Sequence, residues 1–333
     1  MIFHPPVIAL LIGSLLTSFL LLYAAWYAVV ILRHWQITSG SELQLELERK
    51  TYLISTLVGS TLVFQLPALL LLVYTAEELS KLLVGAMCAA GTFNVNGYGY
   101  PALLLKIVLF MVAGVWMVLN HVDNQARDYP LIKAKYALLL VLAPLAVAET
   151  VVMFLYFRAV TPDIITSCCS TIFRGTTEAG EGDNSLLAYG LQPATVCFSL
   201  LGLLLVVGIY GYVSKGRGGV LFAAISAITG LVAIKAMIST FSLYFYELPT
   251  HHCPFCLLQR EYGYTGYPLY LALFVGTVAG ISVGAIAPAR TIPTLKAIVP
   301  GTQRRVVVFS LLCYALFTAL VLFKCLTSHL IME

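Results

Sequence analysis

Cys253-Pro254-Phe255-Cys256 is a dithiol pair with two imidazoles just upstream, His251 and His252, and Gln259-Arg260 just downstream. Two thiols at this spacing close into a disulfide and reopen, or bind a soft cation as thiolates. Proline suits the first turn of a helix, so the sequence places Cys253 at a helix N-terminus, where unpaired amides and the helix dipole favour thiolate. Cys253 is then the expected attacking thiol and Cys256 its resolving partner. Helical spacing brings Cys253, Cys256 and Arg260 onto one face, with the guanidinium able to hold an anion. The same residues support a metal reading, in which His251, His252, Cys253, Cys256 and Cys88 bind Cu(I), Zn(II) or Hg(II) and the adjacent pair Cys168-Cys169 adds soft ligands. A third alternative is a non-catalytic membrane subunit with structural disulfides. Leu257, not histidine, follows the second cysteine, which argues against covalent haem attachment.

The elements that position these residues are membrane helices. The chain is 60% hydrophobic and 10% charged, with a mean hydropathy of +0.93, far outside soluble composition. Apolar runs predict eight spans, near 7–32, 52–75, 101–121, 134–157, 194–213, 220–246, 267–288 and 306–327. The expected fold is an all-α polytopic membrane helix bundle with no separate soluble domain. The first run is read as a retained helix entered through His4-Pro5-Pro6. The net charge of +4 reflects residues that set orientation, and no nucleic-acid partner is expected.

Lysine and arginine concentrate in the odd-numbered loops, as in Arg49-Lys50, Lys133 with Lys135, Lys215 with Arg217, and Arg304-Arg305. The positive-inside rule then makes those loops cytoplasmic and both termini extracytoplasmic, and the expected location is the cell inner (cytoplasmic) membrane. Cys88, Cys168, Cys169, Cys253 and Cys256 all fall on the opposite, oxidising face. Cys197, Cys313 and Cys325 read as ordinary small core residues. Gly97-Tyr98-Gly99-Tyr100-Pro101 after Cys88 parallels Gly263-Tyr264-Thr265-Gly266-Tyr267-Pro268 after Cys256. That parallel suggests two tandem four-helix halves, 1–157 and 194–333, joined by an extracytoplasmic loop, 158–193, that carries the Cys-Cys pair. The alternative is that glycine, tyrosine and proline simply build interfacial turns.

Cys253, Cys256 and Arg260, followed by Gly284-Ala285-Ile286-Ala287-Pro288 at the end of the next span, resemble the disulfide-forming membrane oxidoreductases of the DsbB type. They are also similar to the vitamin K epoxide reductases. The resemblance covers a short stretch around the motif. It implies a thiol-disulfide oxidoreductase that exchanges electrons between an extracytoplasmic thiol/disulfide protein and a membrane quinone, ubiquinone or menaquinone. Arg260 and Gln259 would then lie beside the quinone, with Cys168-Cys169 as the relay to the partner. Those families have four spans and a second, separated cysteine pair, whereas this chain has eight spans and adjacent cysteines.

Ionisable residues within spans are costly and mark pairing or function. Glu149 and Lys235 are read either as a buried ion pair or as a proton route for quinone reduction, and Lys106 as able to snorkel outward. No Walker or His-Glu-x-x-His motif occurs, so ATP hydrolysis and zincin chemistry find no support.

Overall fold

The computed structural model describes residues 2–35, 41–126, 128–161, 192–213, 218–248 and 251–329. Cys168 and Cys169 lie outside the described residues. Among these residues there is no strand, and eight helical segments are long and apolar enough to cross a membrane. They run Pro5–His34, Gln44–Ser80, Gly99–Asp123, Ile132–Ala159, Pro193–Val213, Gly219–Tyr246, Gly266–Thr291 and Val299–Thr327, each overlapping one predicted span. The chain is a multi-pass helical membrane protein. It divides into two compact units, the first made of Met1–Thr75, Asn96–Thr161 and Ala285–Thr302 and the second of Ala76–Val95, Pro162–Gly284 and Gln303–Glu333.

The first unit is built from α1 (Pro5–His34), most of α2 (Glu42–Ser80), α4 (Gly99–Asp123) and α5 (Ile132–Ala159), with the short α3 (Ala89–Phe93) belonging to the second unit. Proline occupies the start of α1, where its missing N–H has no helical partner to lose. Leu21, Leu62, Leu109, Trp116, Tyr136, Leu139 and Ala146 form one buried apolar cluster across these four helices. The 285–302 segment adds Ile286, Leu295 and Val299 to a second cluster with Val122 and Leu131.

Two buried ion pairs tie α4 to α5. Lys106 Nζ lies 3.1 Å from Glu149 Oε1, both side chains 1% exposed, and Lys135 Nζ lies 2.7 Å from Asp123 Oδ2, both fully buried. The two pairs have opposite polarity, with the cation on α4 in the first and on α5 in the second. Sliding one helix along the other would unpair four charges in an apolar interior. Glu149 therefore pairs with Lys106 and not, as expected, with Lys235, which is exposed on its own helix. Lys106 does not snorkel, because a carboxylate faces it at its own depth. Ser14 joins this pair, accepting from Lys106 at 3.3 Å and donating to Glu149 at 3.4 Å.

The second unit contains α3, α6 (Pro193–Val213), α7 (Gly219–Ala236), α8 (Ser242–Tyr246), α9 (Gly266–Ala285) and α10 (Val299–Thr327), the last beginning in the first unit. A π-helical turn, Met237–Phe241, joins α7 to α8 without a break. Gly276, Gly280 and Gly284 recur every four residues on α9, the small-residue spacing that lets membrane helices approach closely. A Cβ at Gly280 would collide with Ser226 of α7, and one at Gly276 would press on Cys313 of α10. The Tyr314 hydroxyl stitches the same three helices together, 2.8 Å from Ser226 Oγ and 3.0 Å from Thr277 Oγ1.

Candidate functional site

The fold brings Cys88, Cys253 and Cys256 together within the second unit. Their sulfurs all lie within 4.8 Å of one another, and all three side chains are buried. The closest pair is Cys88 and Cys253, Sγ to Sγ 3.6 Å, joining segments 165 residues apart. All three are thiols in this structure.

The motif is not at the entrance of a membrane helix. Residues 251–253 are irregular, Cys256–Leu258 and Arg260–Tyr262 form single 3-10 turns, and α9 begins only at Gly266. Gln259 between the two turns is extended, at φ −80° and ψ 159°, so Cys253, Cys256 and Arg260 do not share a helical face. The expected dipole contribution at Cys253 is therefore missing. Two glycines explain the detour. Gly263 takes a left-handed conformation that ends the second turn, and the missing Cβ of Gly266 leaves room for the backbone of Leu257, which a Cβ would meet at 3.0 Å. The motif thus folds back against the start of α9, and α9 continues from it.

Side chains from two helices, and a backbone carbonyl of the π-helical turn, lock the motif. The Tyr246 hydroxyl, at the end of α8, donates to the Cys253 carbonyl and accepts from Leu257 N at 3.0 Å, closing both ends of the four-residue motif. Tyr270 of α9 donates to the Pro254 carbonyl at 2.8 Å. His252 donates through Nδ1 to the carbonyl of Ile238, 3.1 Å away in the π-helical turn. Turns of that kind interrupt the regular helical ladder and recur at functional sites.

Glu77 and Gln259 hold the Cys88 segment against the motif. Glu77 Oε2 accepts from Ala89 N at 2.8 Å and its Oε1 accepts from the Gln259 amide at 2.6 Å. The same Gln259 nitrogen donates to the Met87 carbonyl at 2.8 Å. Both backbone neighbours of Cys88 are therefore fixed, Ala89 by Glu77 of α2 and Met87 by Gln259 from the Cys256 side. Phe93 and Phe255 pack across the junction with ring centroids 5.6 Å apart.

His251 packs edge-on against Tyr246 at 4.4 Å between centroids, and its Nε2 is buried without a hydrogen-bond partner. Burial pushes its imidazole below the ordinary histidine value, against the opposing influence of neighbouring Cys88. Burial also raises the Tyr262 phenol, with Cys256 adding to the effect. Arg260 is exposed.

Sequence reasoning grouped Cys88, Cys253 and Cys256 on one face but missed the tyrosine, glutamate and glutamine contacts that position them. Nothing in the sequence singles out Tyr246, Tyr270 or Glu77, since tyrosines are common at membrane interfaces and charges at helix ends. Cys197, Cys313 and Cys325 stand apart from the cluster; Cys197 is buried in the apolar core of the unit. Comparison with known protein families, curated proteins and solved structures finds no match.

Proposed function

We propose that this chain is a membrane thiol-disulfide oxidoreductase whose redox centre is Cys88, Cys253 and Cys256. The observation that carries the reading is the 3.6 Å separation of Cys88 and Cys253 beside the Cys253/Cys256 pair, which gives Cys253 two alternative bonding partners. In the oxidised state Cys253 and Cys256 share a disulfide. A thiolate of an extracytoplasmic dithiol protein attacks Cys253, forming a mixed disulfide and releasing Cys256 as thiolate. The partner's second thiolate then attacks its own sulfur in that bond, so the partner leaves oxidised and this chain holds two more electrons as a dithiol. Protons from the partner's thiols balance the two new thiols. Cys88 serves as the internal alternative, bonding Cys253 and freeing Cys256.

The three thiols are buried, so a protein partner reaches them through a relay, the role assigned to Cys168-Cys169. A membrane quinone is the two-electron acceptor class the reading names. Of the two residues expected beside it, Gln259 uses its amide N–H groups on Glu77 and Met87, which leaves Arg260 as the exposed group to meet it. The test is oxidation of a reduced dithiol protein by the purified chain, with a soluble quinone analogue as acceptor. Cys253→Ser is expected to abolish turnover and Cys88→Ser to slow it. Wild-type turnover in Cys253→Ser would sink the assignment.

A further inference from the structure

We propose that the reduced site is also a binding site for a soft monovalent cation of the Cu(I) class, held in three-coordinate fashion by Cys88, Cys253 and Cys256. This goes beyond the redox reading and does not depend on turnover. Two thiolates that share one ion through bonds of about 2.3 Å sit about 3.8–4.0 Å apart. The structure places the closest pair at 3.6 Å and all three sulfurs within 4.8 Å, so a shared ion needs only sub-ångström adjustment. A disulfide instead requires closing a pair to about 2.05 Å.

The donor set selects the cation. Among the described residues three thiols form the cluster, with no imidazole or carboxylate inside it. All-sulfur coordination suits Cu(I), whereas structural Zn(II) sites take four ligands in a tetrahedron. His252 is turned away by its bond to Ile238, and His251 is the nearby nitrogen that a fourth ligand would require. The scaffold is built without the ion, because Tyr246, Tyr270, Glu77 and Gln259 fix both cysteine segments through backbone groups. Any disulfide involving Cys253 removes two of the three ligands at once. Thiol oxidation and cation capture are therefore mutually exclusive.

The experiment is an anaerobic titration of the reduced full-length protein in detergent with Cu(I), in competition with a chromophoric Cu(I) chelator, followed by X-ray absorption on the loaded sample. The expected result is one tightly held Cu(I) per chain with an all-sulfur shell, lost in Cys88→Ser, Cys253→Ser and Cys256→Ser and retained in His251→Ala. Wild-type protein oxidised at the site should lose the ion and regain capacity on reduction, which tests the proposal without a variant that could misfold. Absence of binding, binding retained in Cys88→Ser, or preferential Zn(II) binding that depends on His251 would each overturn it. None of these outcomes bears on dithiol turnover, which is scored separately in metal-free protein.

Discussion

Removing Cys256 should leave Cys253 one partner, and the bond it forms should be a strong staple. In Cys256→Ser, mild oxidation is expected to join Cys88 to Cys253, whose sulfurs need to close by about 1.6 Å from 3.6 Å, a movement within reach of side-chain torsion. The bond would span a separation of 165 residues. Loop-closure entropy over that length corresponds to about 5 kcal/mol at 25 °C, against about 2 kcal/mol for the short ring of a Cys-x-x-Cys bond. The assay is peptide mapping under non-reducing conditions, to identify the bonded pair, followed by denaturant unfolding of oxidised and reduced samples. A Cys88–Cys253 cross-link with a clear rise in unfolding midpoint supports the geometry. Failure to cross-link, with both thiols still alkylatable in folded protein, would refute the claim that Cys253 has two alternative partners.

Three further outcomes follow from the packing. Lys106→Met should destabilise the first unit by about 3–5 kcal/mol by leaving Glu149 buried without its cation, whereas Lys106→Met with Glu149→Leu should cost much less; additive single-variant losses in denaturant unfolding would contradict a coupled pair. Tyr246→Phe should leave the Cys253 carbonyl and Leu257 N–H without their partner, at about 1–3 kcal/mol for each group, and should slow cross-linking in the Cys256→Ser background, read by timed alkylation and mass spectrometry. Gly280→Ala should drive a methyl into Ser226 and cost about 1–3 kcal/mol in detergent unfolding, with partial recovery when Ser226→Ala is added.

The spans were legible because a bilayer imposes a length and an apolar content that composition alone reports, and every predicted span has its helix. The grouping of Cys88 with the Cys-x-x-Cys motif was also legible, since alternating topology sends the loops carrying them to the same side. The ion pairs were not. Hydropathy treats Lys106 as a charge seeking water and Lys135 as part of a basic loop, and neither partner, Glu149 or Asp123, is close in sequence. The local shape of the motif was misread for a related reason. Pro254 is compatible with a helix start, but the decision rested with residues further along, Gly263 with its left-handed turn and Gly266 with its room for Leu257. A local preference was overruled by packing against α9.

What separates this site from a simple Cys-x-x-Cys switch is Cys88. A dithiol that only opens and closes needs two sulfurs held in one turn, and the Tyr246 contacts already provide that. Yet the fold also fixes a third sulfur, anchoring both of its backbone neighbours through Glu77 and Gln259. Under the redox reading, Cys88 gives Cys253 a second bond to make, so electrons move between alternative disulfides in one buried cluster. Under the cation reading, it completes a coordination shell that two thiols leave open. Both roles require that Cys88 remain within reach of Cys253, and both should weaken together when Glu77→Ala loosens the Cys88 segment. A loss confined to cation binding would place the functional weight of the third thiol on coordination, and a loss confined to cross-linking would place it on disulfide exchange.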